Sequence, residues 1–125
     1  MPPRRSVFVV DDDPSMRTSM TRLLREYGFE ATLFDSPSAL LGHGEFGGVS
    51  CVVLDIDLNG ESGIELRRRL ADQGVKVPVI YITGNDTDMI RSAATGSGCI
   101  VYLIKPLSAK SFIESVERAC AGVQP

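Results

Sequence analysis

The sequence predicts an α/β protein, a doubly wound five-stranded parallel sheet with five helices. Short apolar runs rich in β-branched residues alternate with segments whose apolar residues recur at helical spacing, five times over. The connections are short, and parallel neighbours need crossovers that return over the sheet; right-handedness distributes these to both faces. The length, 125 residues, suits one domain with one core. A single domain over residues 1–125 is expected, structured from about residue 6 to about residue 122.

The first strand is Val7-Phe8-Val9-Val10, bracketed by Ser6 and Asp11 and unbroken by polar residues, as a strand buried on both faces requires. Asp13 followed by Pro14 reads as an N-cap and first helical residue, and Met16, Met20, Leu23, Leu24 and Tyr27 carry the first helix to Gly28. A second strand at Glu30–Phe34 precedes Ser36-Pro37, a second cap-and-proline start for a short helix ending near Gly42; a glycine-rich loop, Gly42–Gly48, follows. The third strand, Cys51–Leu54, stops at Asp55, and Ser62 with Glu65 has capping-box spacing for a helix to about Asp72. Val77–Thr83 is the fourth strand, Asp86–Thr95 the fourth helix and Ile100–Ile104 the fifth strand. Ser108 caps a last helix with Phe112, Val116 and Ala119 on one face.

Composition excludes several classes of function. With 43% hydrophobic and 23% charged residues the chain can fold unaided. A net charge of −3 disfavours direct nucleic-acid binding, which needs a basic surplus. No apolar run approaches the roughly 20 residues that span a bilayer, and Met1-Pro2-Pro3-Arg4-Arg5 leads into a strand and not a signal-peptide core. No membrane association and a cytoplasmic location are expected. Cys51, Cys99 and Cys120 are widely spaced in apolar surroundings and read as buried thiols, not as a disulfide framework or metal knuckle.

In doubly wound sheets, ligands bind beyond the carboxyl ends of the strands. Those positions hold Asp11-Asp12-Asp13, Asp55, Thr83 and Lys105. Taken singly, each has an ordinary role: a solvated triplet favouring the helix dipole, a cap, a strand-end hydroxyl, a surface lysine. Together they bring carboxylates to one place, where they repel one another unless a hard cation intervenes; an all-oxygen donor set suits Mg²⁺. A carboxylate there can attack a phosphoryl group, with Thr83 and Lys105 donating to its oxygens.

Val9-Val10-Asp11-Asp12, Val53-Leu54-Asp55, Ile80-Tyr81-Ile82-Thr83-Gly84 and Tyr102-Leu103-Ile104-Lys105-Pro106 resemble the signatures of response-regulator receiver domains, in the same order and over essentially the whole chain. The resemblance implies a flavodoxin-like receiver fold with strand order 2-1-3-4-5. It implies that Asp55 accepts a phosphoryl group from a sensor histidine kinase or a histidine phosphotransfer protein. Asp12, Asp55 and the main-chain carbonyl of Asp57 would ligate Mg²⁺, or Mn²⁺ as a substitute, with Asp11 acting through a metal-bound water. Lys105 would pair with the phosphoryl group, Thr83 would bond to it, and Tyr102 would be the switch aromatic. The Lys105–Pro106 bond is expected to be cis. Partner kinases would dock along the first helix, and a downstream protein target on the surface of the fourth helix, fifth strand and fifth helix. The protein would be a monomer or a phosphorylation-dependent dimer. It would be no enzyme beyond self-phosphorylation and self-dephosphorylation. If the 125 residues are the whole product, a single-domain regulator or phosphorelay shuttle is favoured.

Departures from the pattern carry expectations of their own. Leu58 and Asn59 stand where the family often has methionine and proline, which puts the rigidity of that loop in question; Gly63 keeps the pattern. Gly84 leaves the acceptor open to a donor, and Asp57 adds a carboxylate expected to alter phosphoryl lifetime. Gly96-Ser97-Gly98 suggests a loosely ended fourth helix. Arg67-Arg68-Arg69 reads as a solvated stripe and His43 as incidental. Two rivals stand beside this reading. Asp55-Ile56-Asp57 also resembles the nucleophile and acid pair of haloacid-dehalogenase-like phosphatases, although no acidic pair follows Lys105. A phosphate-independent pseudo-receiver binding module would share the fold without the chemistry.

Overall fold

The computed structural model describes residues 5–98 and 101–121. In chain order the elements are β1 (Ser6–Val10), α1 (Pro14–Glu26), β2 (Glu30–Phe34), α2 (Pro37–His43), β3 (Val49–Asp55), α3 (Gly63–Asp72), β4 (Val79–Thr83), α4 (Asp88–Gly96), β5 (Val101–Ile104) and α5 (Ala109–Cys120). The five strands pair in parallel in the order β2-β1-β3-β4-β5, as the resemblance implied. Residues 1–4, Cys99, Ile100 and Gly122, all touched by the sequence expectations, lie outside the described residues.

Helix starts follow from capping chemistry. Asp13, Ser36, Ser62, Thr87 and Ser108 each accept a backbone N–H of the first turn on a side-chain oxygen, offsetting donors that no helical carbonyl reaches. The fourth helix begins two residues later than expected because Thr87 is the cap; Asp86 stays outside the helix and is occupied elsewhere. The fourth strand starts at Val79, after Pro78, whose carbonyl accepts from Val52 N–H at 2.9 Å.

The unbroken apolar runs supply both faces of the sheet, since successive side chains point oppositely. Val7, Val9, Cys51, Val53, Ile80 and Ile82 pack with α1 and α5, chiefly Met20, Leu24, Phe112 and Val116. Phe8, Val10, Val52, Leu54, Val79 and Tyr81 pack with α2, α3 and α4 through Leu40, Leu66, Leu70 and Ala94. Each fully buried aliphatic side chain contributes about 1.5–3 kcal/mol from removal of apolar surface from water. His43 packs as part of an aromatic cluster: its ring stands edge-on to Phe8 and Phe34, with centroids 5.1 and 5.4 Å away.

One local expectation is corrected. The segment after Asp55 is a tight antiparallel ribbon, Asp57–Leu58 against Glu61–Ser62. Asn59 (φ 53°) and Gly60 (φ 91°) turn it with the two successive positive φ angles of a type I′ hairpin. The absence of proline therefore permits a defined turn and does not loosen the loop, because proline is fixed near −65° and cannot take that φ. At the end of α4, Ser97 Oγ donates to the Ala94 carbonyl at 2.8 Å and lies 2.7 Å from Tyr81 Oη.

Candidate functional site

Parallel strands end at one edge, and the registers Val10 beside Leu54, Asp55 beside Ile82 and Thr83 beside Ile104 bring the predicted residues to that edge together. Asp11 is held at every polar point but one. Its N–H donates to the Phe34 carbonyl at 3.2 Å, its Oδ1 accepts from Asp13 N–H at 2.9 Å, and its carbonyl accepts from Arg17 Nη1 at 2.7 Å. The remaining oxygen, Oδ2, is buried with no hydrogen-bond partner and lies 3.5 Å from Lys105 Nζ. Asp55, 5% exposed, accepts Asp57 N–H on Oδ1 and Lys105 Nζ on Oδ2, each at 2.9 Å. The Lys105–Pro106 bond is cis, as expected.

Asp11, Asp12 and Asp55 each offer a carboxylate oxygen within 4.8 Å of the others. Burial pushes the Asp11 carboxyl above its usual range and the Asp55 charge adds to this, against the Asp13 N–H and Lys105. Burial alone would lower Lys105, but its hydrogen bond to Asp55 and the charges of Asp11 and Asp55 outweigh it, so the ammonium is held more firmly than usual. A buried carboxylate oxygen without a donor, facing two further carboxylates in an all-oxygen set, fits a hard divalent cation.

A polar cleft of about 580 Å³ opens over this cluster, lined by Asp12, Asp13, Asp55, Asp57, Asn59 and Lys105. The walls are set by small residues. A Cβ on Gly63 would lie 2.3 Å from the Asp55 carbonyl oxygen, so only glycine lets α3 start that close to the acceptor strand. A Cβ on Gly84 would meet only Lys105 Cδ at 3.8 Å, which leaves the mouth open.

Thr83 and Tyr102 are near the edge but engaged elsewhere. Thr83 is buried, and its hydroxyl accepts from Asn85 N–H at 3.0 Å; it lines the adjoining groove between the ribbon and α4, not the acidic cleft. Tyr102 Oη donates to Asp86 Oδ1 at 2.9 Å, and the Arg91 guanidinium lies 5.3 Å from its ring centroid while pairing with Asp86 at 2.5 Å. Arg17, Asp86 and Arg91 were not singled out from the sequence. A helix-borne arginine at the acidic turn was the one available signal for Arg17; for Asp86, its assignment to a helix hid the role. Within the arginine run, Arg68 pairs with Glu65 and Asp72, whereas Arg67 is half-buried.

The family model for the response regulator receiver domain matches residues 7–117. The chain belongs to this family. Among curated relatives, Nodulation protein W of Bradyrhizobium diazoefficiens is 36% identical over 113 residues, covering 90% of this chain and 50% of that one. Transcriptional regulatory protein FixJ of the same organism is 33% identical over 119 residues, covering 95% and 58%. The chain thus spans about half the length of the curated relatives it matches. Among solved structures, FixJ-N superposes with a TM-score of 0.85 at 29% identity, covering 100% of this chain and 99% of that one. The response regulator StyR gives a TM-score of 0.86 at 35% identity, covering 94% and 60%. As a receiver domain of two-component response regulators, the protein is a signalling module and not a haloacid-dehalogenase-like phosphatase. Among the described residues no helix of this receiver is long and apolar enough to cross a membrane.

Proposed function

We propose that this receiver is a Mg²⁺-dependent phosphoacceptor switch and that Asp55 is the acceptor. The observation that carries the reading is the Asp55 carboxylate, buried at the end of β3, with one oxygen on Lys105 Nζ at 2.9 Å and the carboxylates of Asp11 and Asp12 beside it. A carboxylate oxygen of Asp55 attacks the phosphorus of a phosphohistidine on a sensor histidine kinase or histidine phosphotransfer protein. The new O–P bond forms as the P–N bond breaks, and the imidazole nitrogen leaves with the electron pair and takes a proton. Asp12, Asp55 and the main-chain carbonyl of Asp57 would hold Mg²⁺, or Mn²⁺ in its place, with Asp11 acting through a bound water; the ion supplies positive charge against that of the phosphoryl group.

Lys105 stays with the product as a donor to a phosphoryl oxygen, and Thr83 turns its hydroxyl hydrogen toward another. Tyr102 then leaves Asp86 for the inward position, a population shift between two packings. The surface that changes is α4, β5 and α5, where a downstream protein target or, in a phosphorylation-dependent dimer, a second copy of the chain would read it. Asp57 faces the same cleft and sets phosphoryl lifetime, so Asp57→Ala should change the dephosphorylation rate. A cytoplasmic site of action suits this exchange with kinases. The acceptor is tested by treating the protein with phosphoramidate, an N–P donor, reducing the acyl phosphate with borohydride and mapping the modified peptide. Modification at Asp55 supports the reading; modification at another carboxylate overturns it.

A further inference from the structure

Cys51 and Cys120 lie away from the acidic cleft and meet in the core. Cys51, in β3, is wholly buried in the cluster that contains Val7, Val53, Val116 and Ala119. Cys120, the last residue of α5, is half-buried and packs against the same cluster. Both thiols are free, and their side chains interact on the face of the sheet where α5 packs against β3. They are also inequivalent. The hydrogen bond to Cys120, followed by burial, holds Cys51 firmly protonated. The same bond favours the Cys120 thiolate, and the nearby Arg5 charge and Ser50 add to this against partial burial.

We infer that Cys51 and Cys120 form a site of reversible oxidation by hydroperoxides, joining β3 to the last turn of α5 through an intrachain disulfide. Cys120 is the attacking sulfur, being the more accessible of the two. Its thiolate attacks the terminal oxygen of the hydroperoxide, the S–O bond forms as the O–O bond breaks, and hydroxide (from hydrogen peroxide) or alkoxide leaves and takes up a proton. Cys120 is then a sulfenic acid. Cys51, packed in the same cluster, attacks that sulfur; the S–S bond forms, the S–O bond breaks, and the Cys51 proton departs with the oxygen as water. The two sulfurs together lose two electrons and the peroxide gains them. A small thiol reverses the link by exchange. Neither residue touches the Asp55 cluster, so this inference stands apart from the phosphoacceptor reading.

The test uses Cys99→Ser protein, so that only this pair can react, treated with hydrogen peroxide and digested without reductant. A peptide linking Cys51 to Cys120, a loss of two hydrogens from the intact mass and full reversal by dithiothreitol are expected. In Cys51→Ala the link should vanish and dimedone should label Cys120 instead. Cys120 oxidised to sulfinic acid, or joined to a second chain, while Cys51 remains a thiol in protein carrying both, would overturn the inference.

Discussion

Lys105, from the turn after β5, donates to the Asp55 carboxylate at the end of β3 across 2.9 Å, and no other side-chain cation comes this close to Asp55 among the described residues. The same ammonium lies 3.5 Å from Asp11 Oδ2, so one cation offsets two carboxylates brought together by strand ends.

Lys105→Ala should therefore act on chemistry more than on fold. Removing a donor aimed at the transferring phosphoryl costs about 10²-fold in comparable sites. The initial rate of phosphorylation by a small donor at saturating Mg²⁺ should fall by about that factor. An unchanged rate would separate Lys105 from the reaction.

Arg17 offers a test of preorganisation. Its guanidinium bonds the Asp11 carbonyl at 2.7 Å without lining the acidic cleft, so it acts by positioning the acidic turn. A charge-assisted bond of this kind is worth about 1.5 kcal/mol or somewhat more, roughly tenfold in affinity. Calorimetry on the unphosphorylated protein should show Mg²⁺ binding weakened by up to that factor in Arg17→Ala, with partial recovery in Arg17→Lys. Equal affinities would show that the turn holds its shape without it.

The position of the Tyr102 ring should depend on Asp86. The hydrogen bond to Arg91, and then that to Tyr102, hold the Asp86 carboxyl below its usual range. A depressed carboxyl stabilises the arrangement above its unfolded value and loses that effect as pH falls through the folded one. The Tyr102 ring resonances should therefore be constant at neutral pH and shift only below the ordinary carboxylate range. Asp86→Asn should shift them at neutral pH as well; spectra identical to wild type would remove Asp86 from control of the ring.

Introducing proline at position 59 should harm this protein. Asn59 has φ 53°, which proline cannot adopt. Asn59→Pro should lower stability by about 1–3 kcal/mol, the usual scale for backbone incompatibility. Thermal unfolding midpoints of the two proteins would show it, and an unchanged or raised midpoint would contradict the turn geometry.

These contrasts mark what could be read in advance. The five strands, the caps Asp13, Ser36, Ser62 and Ser108, and the meeting of Asp11, Asp55 and Lys105 at one sheet edge follow from local patterns plus one topological rule, so they are legible in the sequence; the Thr87 cap and the placing of Thr83 in the adjoining groove are not. The ribbon turn is legible in Asn59-Gly60, a pair that suits the two positive φ angles of a type I′ hairpin, and the proline that the family pattern suggests there would be incompatible with it. Asp86 with Tyr102, Arg17 with Asp11, and Cys51 with Cys120 are side-chain meetings between elements that approach only when the sheet is assembled. Periodicity and spacing carry no record of them.

Intact mass after incubation with acetyl phosphate, with and without Mg²⁺ and beside Asp55→Asn, bears most directly on the acceptor. A gain of one phosphoryl group that requires Mg²⁺ and is absent from the variant is the expected result. The same gain in Asp55→Asn, or none in the wild-type protein under rapid quenching, would contradict it.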